Sequence, residues 1–449
     1  MTQPDLARAS EAGATYSPHS DRAAAPAVES GEWSLAQRAG FRFAFIYILL
    51  YTYPGPLDEL PGVDFLRDTS DAMWRVVVPW VGAHVLRLSH PVSIQPSGSG
   101  DKLFDWVQVV AMLSLALIGA IVWTAIDRRH RSHRKLFTAF QLYLRFTLAS
   151  ILFGYGFDKV FPNQFEPMNP VRLTQYFGEA APGGFAWSFL GFSVGYEIFA
   201  GTGEVLAGLL LLFRRTTTLG AIIGAVVLTN VFMLNMSYDI PVKQFSFHLL
   251  LMCAALVACD APRLLNVFVR QRSAEAPRHT ELFVTPASRR NAQIAGALLG
   301  LWMIGGHCWT ELGYYRQGRL APHPPLYGVF EVEQVVKNGA LQPPLLTDAT
   351  RWRRLSAAGR RASVRLATDS LAQYRLLTDT LKHTATLTAG PDTAAKTVLA
   401  YTFPDAQHLV LRGRIGPDSV EMTLRRRSES SYLLVNRGFH WVNETPYFR

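Results

Sequence analysis

Arg145, Glu197 and Glu204 sit in otherwise apolar stretches of this 449-residue chain, and Asn230, Asn235 and His248 sit in others. An ionisable side chain surrounded by hydrocarbon is costly unless paired or hydrated, so its ordinary use is to bind a ligand or move a proton. Glu197 and Glu204, seven residues apart, share one helical face, and Arg145 and Lys159, fourteen apart, nearly do. Counted along the helices, Arg145 lies about 12 Å and Glu204 about 13 Å from the inner ends of their segments. That similarity predicts an Arg145–Glu204 ion pair. Lys159, Glu197, Asn230, Asn235, Asp239 and Lys243 fall nearer the outer side and are expected to form an outward-facing polar pocket, with His248 deeper. These nine residues are the ligand-binding candidates. The competing reading is structural: a register-fixing pair, with Asn230 joining helices. His248 has no partner at ligand spacing, and Cys253, Cys259 and Cys308 form no CxxC, so no metal or haem site is expected. No triad spacing or nucleophile elbow occurs, so no catalytic residue is assigned.

The elements that carry these groups are apolar helices. Hydrophobic residues make up 49% of the chain and charged residues 17%, against about 25% charged in soluble domains. The deficit is local, which predicts an α-helical polytopic membrane protein with about seven transmembrane helices. The expected spans are 37–55, 106–125, 136–157, 184–213, 216–238, 244–260 and 291–310. A net charge of +10 would suit a nucleic-acid binder. The basic residues instead cluster at span ends, as cytoplasmic anchors beside a lipid bilayer do, so nucleic acid is excluded as a partner. Arg128, Arg129, Arg131, Arg134 and Lys135 follow span two, and Arg263, Arg270, Arg272, Arg278, Arg289 and Arg290 separate spans six and seven. This alternation predicts a cytoplasmic N-terminus and an extracytoplasmic C-terminus. Residues 1–34 read as a disordered cytoplasmic tail, and 35–320 as the transmembrane domain. Within the long outer loop 55–105, VVVPWVGAHVL (76–86) reads as interfacial or re-entrant.

Near Pro322 the periodicity changes. Runs such as YGVFEVEQVV, ASVRLAT, HLVLRGR and SVEMTLRR alternate with period two, and KNG, FPD and GPD punctuate them. Residues 321–449 are therefore expected to form an extracytoplasmic all-β antiparallel domain of eight to ten strands, closed or nearly so. In it, Trp352, Arg353, Arg354, Arg437, His440 and Trp441 read as barrel core and solvated face.

Residues 137–270 resemble the DoxX-like family of four-helix membrane proteins. The resemblance rests on Arg145, the GYGFDKVF stretch (Gly154 to Phe161), GTGEVLAGLLLL (Gly201 to Leu212) followed by FRRTTTLGA, and NMSYDIPVKQFSFHLLL (Asn235 to Leu251). Residues 325–449, ending LLVNRGFHWVNETPYFR, resemble lipocalin-like β domains fused to such units. The resemblance implies an inner-membrane protein, with relatives tied to sulfur-compound oxidation, quinone reduction or oxidative-stress complexes. It makes quinone a possible cofactor and a redox subunit a possible partner. Spans one, two and seven and the β domain lie outside the short family unit. Two function classes follow: a redox-associated subunit binding quinone or lipid in the polar pocket, or a non-enzymatic scaffold or lipid/small-molecule binder with the β domain as its periplasmic receptor.

The topology is testable with reporter fusions. Fusions within 127–135 and 261–290 should report a cytoplasmic location, and a fusion after residue 449 an extracytoplasmic one. A cytoplasmic signal after residue 449 would mean an even number of spans.

Overall fold

A computed structural model of the chain describes residues 32–128, 130, 132–274, 280–390 and 396–447. Residues 1–31 of the expected tail lie outside them. The first helix, α1 (Leu35–Thr52), opens with a capping box: Ser34 accepts from the Gln37 N–H and the Gln37 side chain accepts from the Ser34 N–H. It stops at Tyr53-Pro54-Gly55-Pro56, where proline removes backbone donors and disfavours helix in the residue before it. A single tight turn, Leu57–Glu59, leads to α2 (Asp64–His84), which takes in residues 76–84 of the 76–86 run. Then come α3 (Leu103–Ile126), α4 (Arg134–Val160), short α5 (Pro170–Thr174), α6 (Pro182–Phe192), α7 (Val194–Leu212), α8 (Thr217–Ser237), α9 (Lys243–Cys259), α10 (Ala261–Phe268) and α11 (Pro286–Gln317).

Among the described residues, α3, α4, α7 and α8 are long and apolar enough to cross a membrane, and α9 with α10 makes a fifth candidate bent by 71°. Every expected span falls on a helix, but span four is divided at Ser193 into α6 and α7. Neither α1 nor α11 reaches the same apolarity: α1 holds Arg38 and Arg42, and α11 carries Arg289, Arg290, Glu311 and Arg316.

Helix α4 packs against α1, α7, α9 and α11. Its Phe140, Leu144, Leu148, Leu152 and Phe153 form the centre of the helical core. Arg42, only 1% exposed, ties α1 to the α3–α4 connection. Its guanidinium reaches Asp127 Oδ2 at 3.1 Å, Thr124 Oγ1 at 3.0 Å and His133 Nε2 at 3.2 Å. A buried charge paired and hydrogen-bonded in this way is a structural rivet.

The C-terminal part is an eight-stranded antiparallel barrel, within the expected eight to ten strands. Its strands are β1 (Gly328–Lys337), β3 (Trp352–Ala358), β4 (Arg361–Leu366), β5 (Leu371–Asp379), β6 (Thr384–Thr388), β7 (Lys396–Thr402), β8 (His408–Ile415) and β9 (Asp418–Arg427), with a two-residue β2 (Ala340–Leu341) appended to β1. Each strand pairs with the next, and β9 pairs back with β1, so no long edge is left open. Phe330, Trp352, Leu387, Leu399, Tyr401, Leu409 and Leu424 fill the interior, as side chains do in a barrel of this size. Trp352 is thus core, Arg353, His440 and Trp441 are exposed, and Arg354 and Arg437 are half-buried. Beyond β9 lies α12 (Leu433–Asn436).

The segment after α4 climbs the outside of β3 and β4. Glu166 pairs with Arg361, and Thr174 Oγ1 meets Ser356 Oγ at 2.7 Å. Arg365, 3% exposed, donates to Glu179 Oε1 at 2.5 Å and Oε2 at 2.7 Å and stacks 4.0 Å from the Tyr176 ring centroid. The Arg365 hydrogen bonds hold the Glu179 carboxyl below its usual range. A folded-state value that is depressed gives stabilisation present above the ordinary Glu value, about 4.3, and lost as pH falls through the folded one. Amide protection of residues 170–179 should therefore fall on acidification below about pH 4, and Glu179→Gln should flatten that dependence. An unchanged pH profile in the variant would remove Glu179 from the barrel contact.

A polar cavity beside α4 as the candidate functional site

Helix α4 has two working faces. One meets α7 at very short range: a Cβ on Gly156 would sit 2.7 Å from Val205 Cγ2, and one on Gly201 would sit 2.5 Å from the Gly156 carbonyl oxygen. Gly208 lies against Ala149 and Phe153, so the two helices run antiparallel with a fixed register. Side chains on a helix lean toward its N-terminus. Lys159 and Glu204 therefore lean toward each other. Lys159 Nζ donates to Glu204 Oε2 at 2.7 Å and Oε1 at 2.9 Å, both residues being buried.

The expected Arg145–Glu204 pair is not formed. Arg145 leans the other way, to the end of α7, where its guanidinium donates to Leu211 O at 2.9 Å and Leu212 O at 2.8 Å. Those terminal carbonyls are the negative end of the helix and have no partner within it. Depth along a helix does not contain the lean of each side chain, which decides between the two acceptors.

The other candidates do not converge on one pocket. Glu197 is fully buried; its Oε1 accepts from the Phe165 N–H at 3.1 Å, and Arg319 lies 3.7 Å from its Oε2. It fastens the segment after α4 to the linker that follows α11. Asn235 donates to Ser246 Oγ at 2.9 Å and closes the α8–α9 hairpin. Asp239 is exposed and pairs with Lys243 at 2.7 Å, while Asp101 accepts from the backbone N–H groups of Lys243 and Gln244 at the start of α9. Asn230 points outward. His248 donates from Nδ1 to Gln244 O at 2.7 Å, which leaves Nε2 to accept from the Tyr47 hydroxyl at 2.5 Å. Its ring stacks on Tyr51, with centroids 3.9 Å apart.

Tyr51 leads to the second face of α4. A cavity of about 510 Å³ lies between the break after α1 and helices α4, α9 and α11. Thr147, Ser150, Ile151, Gly154, Tyr155 and Asp158 line it from α4, at the three- and four-residue spacing of one helical face. Glu59 enters from the turn after α1, held by Ser150 Oγ and by Trp302, whose Nε1 donates to the Glu59 carbonyl at 2.5 Å. His307 and Glu311 enter from α11, one turn apart. Asn163 fixes Glu311 by donating to its Oε2 at 2.8 Å, and Asp158 lines the same cavity. Two polar atoms on this wall are buried without a hydrogen-bond partner: Thr147 Oγ1 and His307 Nε2. His307 Nε2 is 3.3 Å from Glu59 Oε1 but is not aligned to bond it. Carboxyls, an imidazole and tyrosines converging in one hollow can bind a polar head group and exchange protons with it. Among the described residues, no cluster of His, Cys, Asp and Glu is arranged to hold a metal ion.

None of the nine sequence candidates lines this cavity. Asp158 stands inside the GYGFDKVF stretch next to Lys159, and its position in the sequence alone does not mark it as a site residue. The signal that finds it is the stripe Thr147-Ser150-Ile151-Gly154-Tyr155-Asp158, polar along one face of an apolar helix.

The chain is 39% identical over 145 residues to the "Uncharacterized protein YwoB" of Bacillus subtilis (strain 168), an alignment spanning 31% of this chain and 88% of that protein. This chain belongs to the YwoB family. No protein-family model and no solved structure matches it.

Double-mutant cycles separate the two buried cations of α4. Lys159→Met or Glu204→Gln should each destabilise the protein by roughly 3–5 kcal/mol, the cost of leaving a buried charge unpaired. The double variant should recover much of that loss. Arg145→Met and Glu204→Gln should simply add. Strong coupling between Arg145 and Glu204, read from thermal unfolding in detergent, would contradict this geometry.

Proposed function

We propose that this protein is a DoxX-like, multi-pass membrane protein of the inner membrane that binds a quinone or a similar amphipathic lipid in the cavity beside α4, as the membrane subunit of a redox system. In this reading the N-terminus is cytoplasmic and the lipocalin-like barrel extracytoplasmic. The end of α4 near Asp158 then lies toward the outer side, and about seven helical segments lie in or across the bilayer.

The observation that carries the reading is the lining of the cavity. Hydrogen-bonding groups from four separate segments converge there in a helical region whose other surfaces are largely apolar. Tyr51, Tyr155 and Phe245 supply flat apolar walls for a ring, and Glu59, Asp158, His307 and Glu311 supply polar contacts. Its volume falls within the range of small-molecule pockets, roughly 300–1,000 Å³. The alternative of a barrel that receives the ligand is less well supported, because large side chains fill the barrel interior. With no cysteine pair or haem-ligand set in the sequence, electrons must be passed on by a partner.

Native mass spectrometry and organic extraction of the purified protein should release a quinone or lipid at close to stoichiometric amounts. Ile151→Trp, which places a large ring in the cavity, should lower that occupancy at least about tenfold while leaving folding intact. Full occupancy in Ile151→Trp would move the ligand elsewhere, and an empty wild-type protein would contradict the proposal.

A further inference from the structure

Helix α10 has a built face and nothing in the chain that covers it. It spans eight residues, and isolated helices shorter than about 12–15 residues are marginal in water. Burial of an apolar face ordinarily holds such a helix, yet none of its residues is buried. The sequence is nonetheless patterned for burial. Ala261, Leu264, Leu265 and Phe268 recur at the spacing of one helical face, while Arg263, Asn266 and Arg270 fall on the opposite face. Phe268 is 75% exposed, and Val269, just beyond the helix, is 70% exposed.

Direction and charge say what covers that face. Pro262 has no N–H to return to Ala258, so the chain leaves the line of α9 near Asp260, and the axes of α9 and α10 differ by 71°. With α9 crossing a bilayer at the average tilt of about 20°, α10 lies within about 40° of the membrane plane. The corner is fixed: Thr218 at the start of α8 donates to Asp260, and Arg263 Nη1 donates to Asp260 Oδ1 at 2.8 Å. The exposed Arg214 and Arg215 immediately precede that start of α8, and Arg270 and Arg272 are exposed beyond α10. Residues 260–274 hold three arginines and one acid. A basic helix with one apolar face, continuous with a spanning helix, has the chemistry that an anionic phospholipid surface takes up. We infer that α10 lies in the headgroup region of the cytoplasmic leaflet, its apolar face among acyl chains and its arginines on anionic phosphates. The inference rests on the reading that places residues 261–290 in the cytoplasm. Helix α9 supplies Phe245 and Met252 to the wall of the cavity, so this anchor fixes the depth of that wall in the bilayer.

The test uses the full chain in phosphatidylcholine nanodiscs, with Cys253, Cys259 and Cys308 replaced by alanine and the fluorophore NBD on Phe268→Cys. Trace phosphatidylglycerol or phosphatidylcholine, each with a doxyl group near the head of the acyl chain, serves as quencher. A second chain carries NBD on Val398→Cys, on the exposed face of β7 and across the barrel from β3. The label at 268 should be quenched by both lipids, at the depth of about 5–10 Å expected of an interfacial helix. Phosphatidylglycerol should quench it at least about threefold more, the enrichment expected beside surface arginines. Arg270→Gln/Arg272→Gln should bring the two lipids within about twofold of each other, and the label at 398 should be quenched by neither. Quenching at 268 no stronger than at 398, as when a protein covers the helix, overturns the inference, and so does equal quenching by the two lipids. Reporter fusions within 261–290 that report an extracytoplasmic location contradict the topology beneath it instead. The two lipids are compared on one labelled protein, so misfolding of the arginine variant cannot hide the result.

Discussion

The close approach of α4 and α7 is the constraint on which the rest of this molecule depends. Gly156 and Gly201 let the two backbones meet closely: a larger residue at Gly201 would collide with the Gly156 carbonyl, and one at Gly156 with the Val205 side chain. That contact sets the rotation of α4 about its axis. One face is committed to α7, with Lys159 locked to Glu204 and Arg145 locked to the last carbonyls of α7. The face carrying Thr147, Ser150, Gly154 and Asp158 is thereby turned away from the tight seam. A buried pair such as Lys159–Glu204 adds little net stability over an apolar pair of the same volume. Its contribution is positional: it makes slippage or rotation of α4 leave two charges unpaired.

What fills the space on the second face is determined at long range. Helix α1 stops at its prolines instead of continuing, and the turn that follows brings Glu59 to Ser150 and to Trp302, residues 91 and 243 positions away. His248 braces Tyr51 from behind through its stacked ring while its two nitrogens are occupied by Gln244 and Tyr47. The same wall connects to the barrel. Asn163 touches Glu311, Phe165 touches Glu197, and the chain then runs through Glu166, Thr174 and Glu179 along β3 and β4. The mouth of the cavity and the seat of the barrel are thus parts of one continuous segment.

The barrel was legible because alternation with period two is a local property, and the strands follow the runs and turns that the sequence displays. Apolar helices were legible for the same reason. The candidate site was legible only in its residue types. Sequence spacing gives height along a helix, and Arg145 and Glu204 have similar heights, but it gives neither the lean of a side chain nor the angle at which two helices face each other. Asn230 and Asn235 illustrate this: five positions apart on α8, one faces outward and the other is buried against Ser246. Glu59 lies in what reads as an outer loop, and nothing local indicates that the chain after Pro56 folds back against α4. His307 and Glu311 sit near the end of an apolar run, where polar residues are ordinarily taken as its boundary.

Protection of a single engineered thiol tests most directly whether the second face of α4 is a ligand site. With Cys253, Cys259 and Cys308 replaced by alanine, Ile151→Cys places one sulfur on the cavity wall. Its rate of modification by a maleimide should fall at least about tenfold when duroquinol saturates the protein, and a control cysteine at Val226, on the exposed side of α8, should react at an unchanged rate. Equal rates at position 151 with and without the probe would contradict the account.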